Sequence, residues 1–302
     1  MKTKACAALL AMGVAVAAGS ASATELWDPH LRGVESGLAA GALPPEGVYF
    51  MLNNYFATFK QYTPGSTKSG MKLDAIVEVP ILLWNTGIKV LGADYGVAIA
   101  QPFDHTEIAI EGNGAIEGNG HWGRFNTYLV PVILSWALPY DLHVKGSFGV
   151  WLDNASSSPG DEPARGGVGA GNGFTTFEPG LGISWLHDGW NVSAQIYYDT
   201  STRNDKTGYQ SGDQIAVDYT FTKTIDQWTF GMGAFQLNQL EKDTARGGIK
   251  RSGSVSQSYG LGPILGYDFG PVSLQATYNH YLLTRNDVGD NVLNIRLVAP
   301  LY

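Results

Sequence analysis

From Gly47 onward the sequence breaks into segments of roughly 10 to 17 residues in which one parity is apolar and the other polar or small, the period of strands whose side chains alternate between two faces. In Leu142–Asp153, Leu142, Val144, Phe148, Val150 and Leu152 share one face and His143, Lys145, Ser147, Gly149 and Asp153 the other. Trp190–Asp199 and Val272–Tyr281 repeat the pattern. The periodicity predicts about twelve strands, at 48–62, 71–84, 87–102, 122–138, 142–153, 174–187, 190–201, 213–223, 227–240, 255–269, 272–284 and 292–302. Five connections are tight: Asn85-Thr86, Pro139-Tyr140-Asp141, Asp188-Gly189, Thr224-Ile225-Asp226 and Gly270-Pro271. The other six, around 63–70, 103–121, 154–173, 202–212, 241–254 and 285–291, are longer and polar or Gly-rich, and long and short alternate strictly. A soluble sandwich has no reason to sort its loops by end. An antiparallel transmembrane β-barrel does, because its periplasmic turns are short, its external loops long and its strand number even. With the first connection long, both termini fall on the periplasmic side.

Composition supports this all-β reading. Only 15% of residues are charged, against about a quarter in ordinary soluble domains, while the chain carries 39 Gly, 15 Tyr and 8 Trp. The start reads as a signal peptide over residues 1–23: Lys2 and Lys4, an apolar stretch Ala5–Ala18, then Ala21-Ser22-Ala23 before Thr24. The single cysteine, Cys6, lies inside it without the flanks of a lipoprotein signal. Losing Lys2 and Lys4 takes the net charge from -8 to -10 (17 basic against 27 acidic residues), which disfavours a nucleic-acid partner. Residues 24–46 precede the barrel of 47–302 as a periplasmic or plug-like segment; Leu31, Val34 and Leu38 have helical spacing and Pro44-Pro45 ends it.

Trp84, Trp136, Trp185, Trp190 and Trp228 all sit near a proposed short turn, as an interfacial aromatic girdle would. The non-lipid parity gives candidate lumen charges Lys72, Asp74, Glu78, Asp94, Lys145, Asp153, Glu178, Asp199, Asp218 and Arg296. Acids lead bases there, so an open lumen favours cations, passes neutral phenol and repels ionised benzoate. Paired with one another, the same charges would instead fill a narrow barrel. Both faces of Phe125–Leu138 carry apolar groups, which leaves its orientation open.

No metal or cofactor motif is present: the six histidines lack metalloprotease spacing, and Gly112-Asn113-Gly114, Gly118-Asn119-Gly120 and Gly166–Gly171 read as external loops rather than phosphate cradles. Asp161 and Glu162 near Asp153 fit a solvated acidic loop better than a cation bridge to lipopolysaccharide. An outer-membrane lipid hydrolase would need a serine and an Asn-Gly pattern after His280, where Tyr281-Leu282-Leu283 stand. Catalysis is not expected.

The runs Asp28-Pro29-His30-Leu31-Arg32-Gly33-Val34, Leu43-Pro44-Pro45-Glu46-Gly47-Val48-Tyr49-Phe50 and Val90-Leu91-Gly92-Ala93-Asp94-Tyr95-Gly96 resemble the outer-membrane family associated with the meta-cleavage pathway of phenol degradation, to which sphingosine-induced outer-membrane proteins are similar. The resemblance implies a Gram-negative outer-membrane barrel that passes small hydrophobic or aromatic solutes. Its surroundings would be outer-membrane lipids, lipopolysaccharide and the barrel-assembly machinery. A structural or surface-interaction barrel is the alternative. One departure concerns the end: Leu293, Ile295, Leu297, Ala299 and Leu301 are offset by one from Tyr302, leaving Arg296 and Pro300 on its face, so recognition by the assembly machinery is expected to be atypical.

Overall fold

The computed structural model describes residues 25 and 27–302, apart from 111–115, 119, 121, 162–169, 246–248 and 251–254. The signal-peptide reading, Glu162, and the Gly-rich runs 112–114 and 166–169 therefore lie outside the described residues. The strands are β1 (Gly47–Tyr62), β2 (Lys68–Val90), β3 (Ala93–Ala100), β4 (Phe103–Ile110), β5 (Ile116–Gly118), β6 (Gly123–Arg124), β7 (Tyr128–Leu138), β8 (Leu142–Trp151), β9 (Thr176–His187), β10 (Trp190–Ser201), β11 (Gln214–Ile225), β12 (Trp228–Gln239), β13 (Thr244–Ala245), β14 (Ile249–Lys250), β15 (Gln257–Asp268), β16 (Ser273–Arg285) and β17 (Asp287–Pro300). Each long strand pairs antiparallel with its neighbours, and β1 pairs with both β2 and β17, so the ring of long strands closes on itself, with β5 and β6 attached only to β4. Twelve staves make the wall: β1, β2, β3, β7 to β12 and β15 to β17. Closure answers the edge-strand problem and satisfies every backbone group that would otherwise meet hydrocarbon. The fold is the transmembrane β-barrel that the loop alternation predicts.

Two connections differ from expectation. β2 runs through Asn85-Thr86 and turns only at Leu91-Gly92, where Val90 faces Ala93. The Asn-Thr-Gly signal marks instead a bulge: the register to β3 shifts between Asn85 and Lys89, and Gly87 takes the extra residue at φ +72°. At the other end, β16 and β17 extend almost to each other, with only Asn286 between Arg285 and Asp287 where a loop over 285–291 was expected. The third stave bends at Gln101-Pro102, above which β4 pairs with the upper half of β2.

Burial alternates along the staves as the sequence pattern requires. The outward set includes Leu82, Val132, Phe148, Leu181, Ile183, Phe221, Phe230, Leu265 and Leu274, all exposed. Such a continuous apolar exterior is unstable in water and stable in lipid. In β7 the ambiguity of the two faces resolves as a bulge between Leu129 and Val132: it sends Pro131 and Val132 outward and restores Ile133 and Ser135 to the interior.

Residues 27–46 run inside the barrel. They form successive tight turns, Val34 N–H to Leu31 O at 3.1 Å, Leu38 N–H to Glu35 O at 3.0 Å and Ala42 N–H to Ala39 O at 3.1 Å, rather than the helix hinted at by the spacing of Leu31, Val34 and Leu38. Gly33 and Gly37, at φ +74° and +93°, break any helix, and their amides bond the barrel wall instead. The start of the segment, Glu25, bonds Ser211 in a long loop, whereas its end meets β1 at the short-turn end. The described chain thus begins among the long loops, not at the periplasmic end where the loop pattern placed it, because the lumen offers the segment a lining of hydrogen-bonding side chains.

Candidate functional site

The interior of the wall has two unlike halves. Along β9 to β11 and β16 to β17 the inward residues are mostly polar: Glu178 and Ser184, Ser193 and Gln195, Asp218, Thr220 and Thr222, Gln275 and Asn279, Asn294 and Arg296. Along β1 to β4 and β7 they are mostly apolar: Met51, Tyr55, Ala57, Phe59, Leu73, Ala75, Val79, Ile81, Ala98, Ala100, Val130 and Ile133.

The internal segment is fastened chiefly to the polar half. Asp218 accepts the amides of Gly33 (2.9 Å) and Glu35 (2.8 Å) on its two carboxylate oxygens, and His30 Nε2 lies 3.5 Å away. Thr220 Oγ1 accepts from Gly37 N at 2.7 Å, and Ser184 Oγ from Gly41 N at 2.7 Å. Arg296, 2% exposed, donates to Ser36 O at 3.2 Å, Val34 O, Gln275 Oε1 at 2.7 Å and Asn53 Oδ1 at 3.0 Å. Higher up, Arg32 of the segment pairs with Asp28 and, at 2.9 Å, with Asp287 of β17, and donates to Val288 O at 2.9 Å. Near the short-turn end Asn85 Nδ2 donates to Pro44 O at 2.8 Å. Charge-assisted bonds in so dry a setting each contribute about 1.5–3 kcal/mol. A Cβ on Gly182 would fall 1.9 Å from Ala40 O, so the segment lies against the wall there with no room for a side chain.

Against the apolar half the segment does not close. A cavity of about 470 Å³ separates Val34, Leu38, Leu43 and Pro44 from Met51, Val79, Ile81, Ala98, Val130 and Ile133. A smaller one of about 80 Å³, flanked by Trp27, Tyr55, Phe59 and Ala75, lies toward the loop end, and both touch His30, Leu31, Pro102 and Trp151. Together they trace an apolar path along one side of a threaded lumen.

The expected lumen charges divide between several places. Lys145, Glu178, Asp199, Asp218 and Arg296 point inward. Glu178 accepts from Tyr128 OH and from Trp151 Nε1 at 3.1 Å, while the carboxylate oxygens of Asp199 have no hydrogen-bond donor among the described residues. Asp74 and Glu78, with Lys72, are outward and exposed, opposite to the expected parity, since Leu73, Ala75 and Val79 of the same strand are the buried ones. The reason is length: the 23 residues of β2 extend about 75 Å at ~3.3 Å per residue, whereas the lipid band needs only about 9–11 tilted residues. The upper part of β2 therefore stands clear of hydrocarbon and its outer face can carry charge. Asp94 is half-exposed at the β2–β3 hairpin in an ion pair with Lys89 at 2.5 Å, and Asp153 is exposed in the loop after β8. Neither lies on the apolar path.

The five tryptophans expected in the girdle all face outward. Trp136, Trp185, Trp190 and Trp228 stand close to short turns, whereas Trp84 is separated from Leu91-Gly92 by the bulged stretch 85–90. His280 is outward too, its Nδ1 bonded to Asn291 Oδ1 at 2.8 Å. Among the described residues no three histidine, cysteine or acidic side chains come together as a metal site would require. What sequence reasoning missed is the role of Asp28, His30 and Arg32 and of the hydroxyls that receive the segment: an aperiodic stretch gives no signal of what it touches.

A closed antiparallel barrel with an apolar exterior and a threaded, half-apolar lumen defines a membrane-spanning barrel of the outer-membrane kind. Residues 57–296 match the family described as "Putative MetA-pathway of phenol degradation", and the chain belongs to that family. No curated relative matches it. Among solved structures it is similar to an outer-membrane channel from Pseudomonas putida F1, at 14% identity over 86% of this chain and 97% of that one, with a TM-score of 0.71. It is also similar to the translocator domain of the autotransporter NalP from Neisseria meningitidis (10% identity, 86% and 91% covered, TM-score 0.49) and to the CymD monoaromatic hydrocarbon channel (10%, 85% and 89%, 0.43). At these identities the first likeness is one of fold.

Proposed function

We propose that the protein is a passive outer-membrane channel for small hydrophobic or aromatic molecules, which move along the apolar half of the lumen past the segment held on the polar half. The observation that carries this reading is the cavity of about 470 Å³ with apolar residues on both its walls. A polar pore would be filled with water there, while an aromatic solute gains about 25 cal/mol for each Å² of apolar surface it buries. Membership of a family described by phenol degradation agrees with that substrate class, and the P. putida protein of like fold is an outer-membrane channel. In this reading residues 1–23 direct export, the assembly machinery inserts the barrel, and lipid with lipopolysaccharide surrounds it.

The test is uptake into vesicles whose outer leaflet contains lipopolysaccharide, which slows hydrophobic solutes. Toluene and phenol should enter faster with the native protein than with a heat-unfolded control; equal rates end the channel reading. One observation favours a second reading, a closed barrel whose loops do the work: the segment is bonded to the wall from Asp218 down to Asn85. Deleting residues 27–43 separates the two. Aromatic uptake that is absent from the native protein and appears, together with a large rise in ion conductance, only on deletion would mean that the native lumen is shut.

A further inference from the structure

We infer that the large cavity binds small aromatic acids, with Lys145 anchoring the carboxylate and the apolar wall receiving the ring. This rests on the channel reading and names the substrate class of the same passage. Lys145 is on the inward face of β8 and lines the cavity, yet among the described residues it makes no hydrogen bond or ion pair. The buried arginines of the lumen differ: Arg32 and Arg296 are each bonded to several carboxylates, carbonyls or amides. An ammonium among apolar side chains is stabilised only when a counter-charge arrives.

The protein's own acids do not supply it. Glu178 is occupied by Tyr128 and Trp151, and Asp218 by the amides of Gly33 and Glu35. Glu35 lines the same cavity and attracts Lys145 through space, but no ion pair joins them. Ser147, the next inward residue on β8, also lines the cavity, with its hydroxyl unbonded among the described residues, so a carboxylate would meet an ammonium and a second donor on one face. Space is sufficient. A dry cavity of ~150 Å³ already takes benzene, so about 470 Å³ holds a monoaromatic ring with its acid group.

The sequence pattern expected the opposite, repulsion of benzoate by an acidic lumen. Two of the acids behind that expectation, Asp74 and Glu78, lie outside the barrel, and Glu178 and Asp218 are hydrogen-bonded. A neutral phenol leaves the ammonium uncompensated, whereas an ionised acid does not.

The experiment compares 4-fluorobenzoate with its neutral counterpart 4-fluorobenzamide, binding to the full chain in non-ionic micelles followed by fluorine NMR. The native protein should bind the acid about tenfold more tightly, ~1.4 kcal/mol. Lys145→Met should erase that preference and leave benzamide affinity within about twofold, Lys145→Arg should keep it, and Glu35→Gln should tighten the acid a few-fold by removing a competing negative charge. Heat-modifiable gel migration shows that each variant is folded. Equal affinities in the native protein, or a preference that survives Lys145→Met, overturn the assignment. Accelerated uptake of toluene without any preference for the acid in micelles sinks this site and leaves the channel standing. Acid preference in micelles without uptake of any aromatic does the reverse.

Discussion

The two halves of the lumen wall share strand pairing, closure and, within the lipid band, an apolar exterior, and they differ in what the inward parity carries. Where it carries Asp218, Thr220, Ser184 and Arg296, the aperiodic segment 27–46 finds partners for its amides and carbonyls and stays. Where it carries Val79, Ile81, Ala98 and Val130, those backbone groups would be left unpaired, and a cavity remains. The contrast teaches that a barrel can be threaded and still keep an apolar cavity, because polar satisfaction chooses the side on which a plug lies.

The sharpest way to break the contrast is Asp218→Ala. It strips the amides of Gly33 and Glu35 of their acceptor and His30 of the carboxylate 3.5 Å from its Nε2, and loss of one partner from such a buried charged cluster costs about 3–5 kcal/mol. Hydrogen exchange at Gly33 and Glu35 should accelerate and single-channel conductance should rise; an unchanged trace would mean that the segment is held elsewhere. Next in size is the exterior, which the comparison takes to be equivalent on both halves. Leu181→Arg on the polar half and Leu82→Arg on the apolar half should each cost about 2–4 kcal/mol in urea titrations of vesicle-folded protein. A large difference between them would show that the halves differ outside as well as inside. A smaller effect is expected from Val79→Asn, which buries an unpaired amide on the apolar path at about 1–3 kcal/mol. It should slow toluene uptake while leaving conductance to salt unaltered.

The polar half was the legible half. On β10 and β16 the rule that polar residues face inward places Ser193, Gln195, Asp199, Gln275 and Asn279 where they are found, because there the lumen is polar and the outside is lipid. On β2 the same rule inverts Asp74 and Glu78: inside is apolar, and the outer face rises above the lipid, so alternation survives while its polarity reverses. Period 2 reports that two faces exist and not which one is the interior. Asn85-Thr86-Gly87 shows a similar limit, since a turn-like composition also suits a bulge, and only pairing of Val90 with Ala93 decides. The apolar path itself, formed by residues from eight staves and an aperiodic segment, has no local signature at all.

The smallest effect expected lies above the polar half, where two long loops meet over the start of the internal segment. Asn204 donates to Glu25 Oε2 at 2.7 Å and to Pro159 O at 3.1 Å, and Lys206 Nζ bonds Asp161 at 2.6 Å. The Lys206 ammonium first, then the Ser158 amide, hold the Asp161 carboxyl below its ordinary value. A carboxylate whose folded value is depressed adds stability above its unfolded value and loses it as the pH falls through the folded one. The loop contact should therefore be intact at neutral pH and weaken only below about pH 4. Both side chains are more than a third exposed, so solvent and salt screen the pair to less than about 1 kcal/mol. Asp161→Asn should raise proteolytic cleavage of the 152–175 loop slightly at pH 7 and abolish its acceleration at pH 3, with conductance unaffected at either pH. If conductance rises together with cleavage, the loops and not Asp218 hold the segment in the lumen, and the account of the polar half gives way.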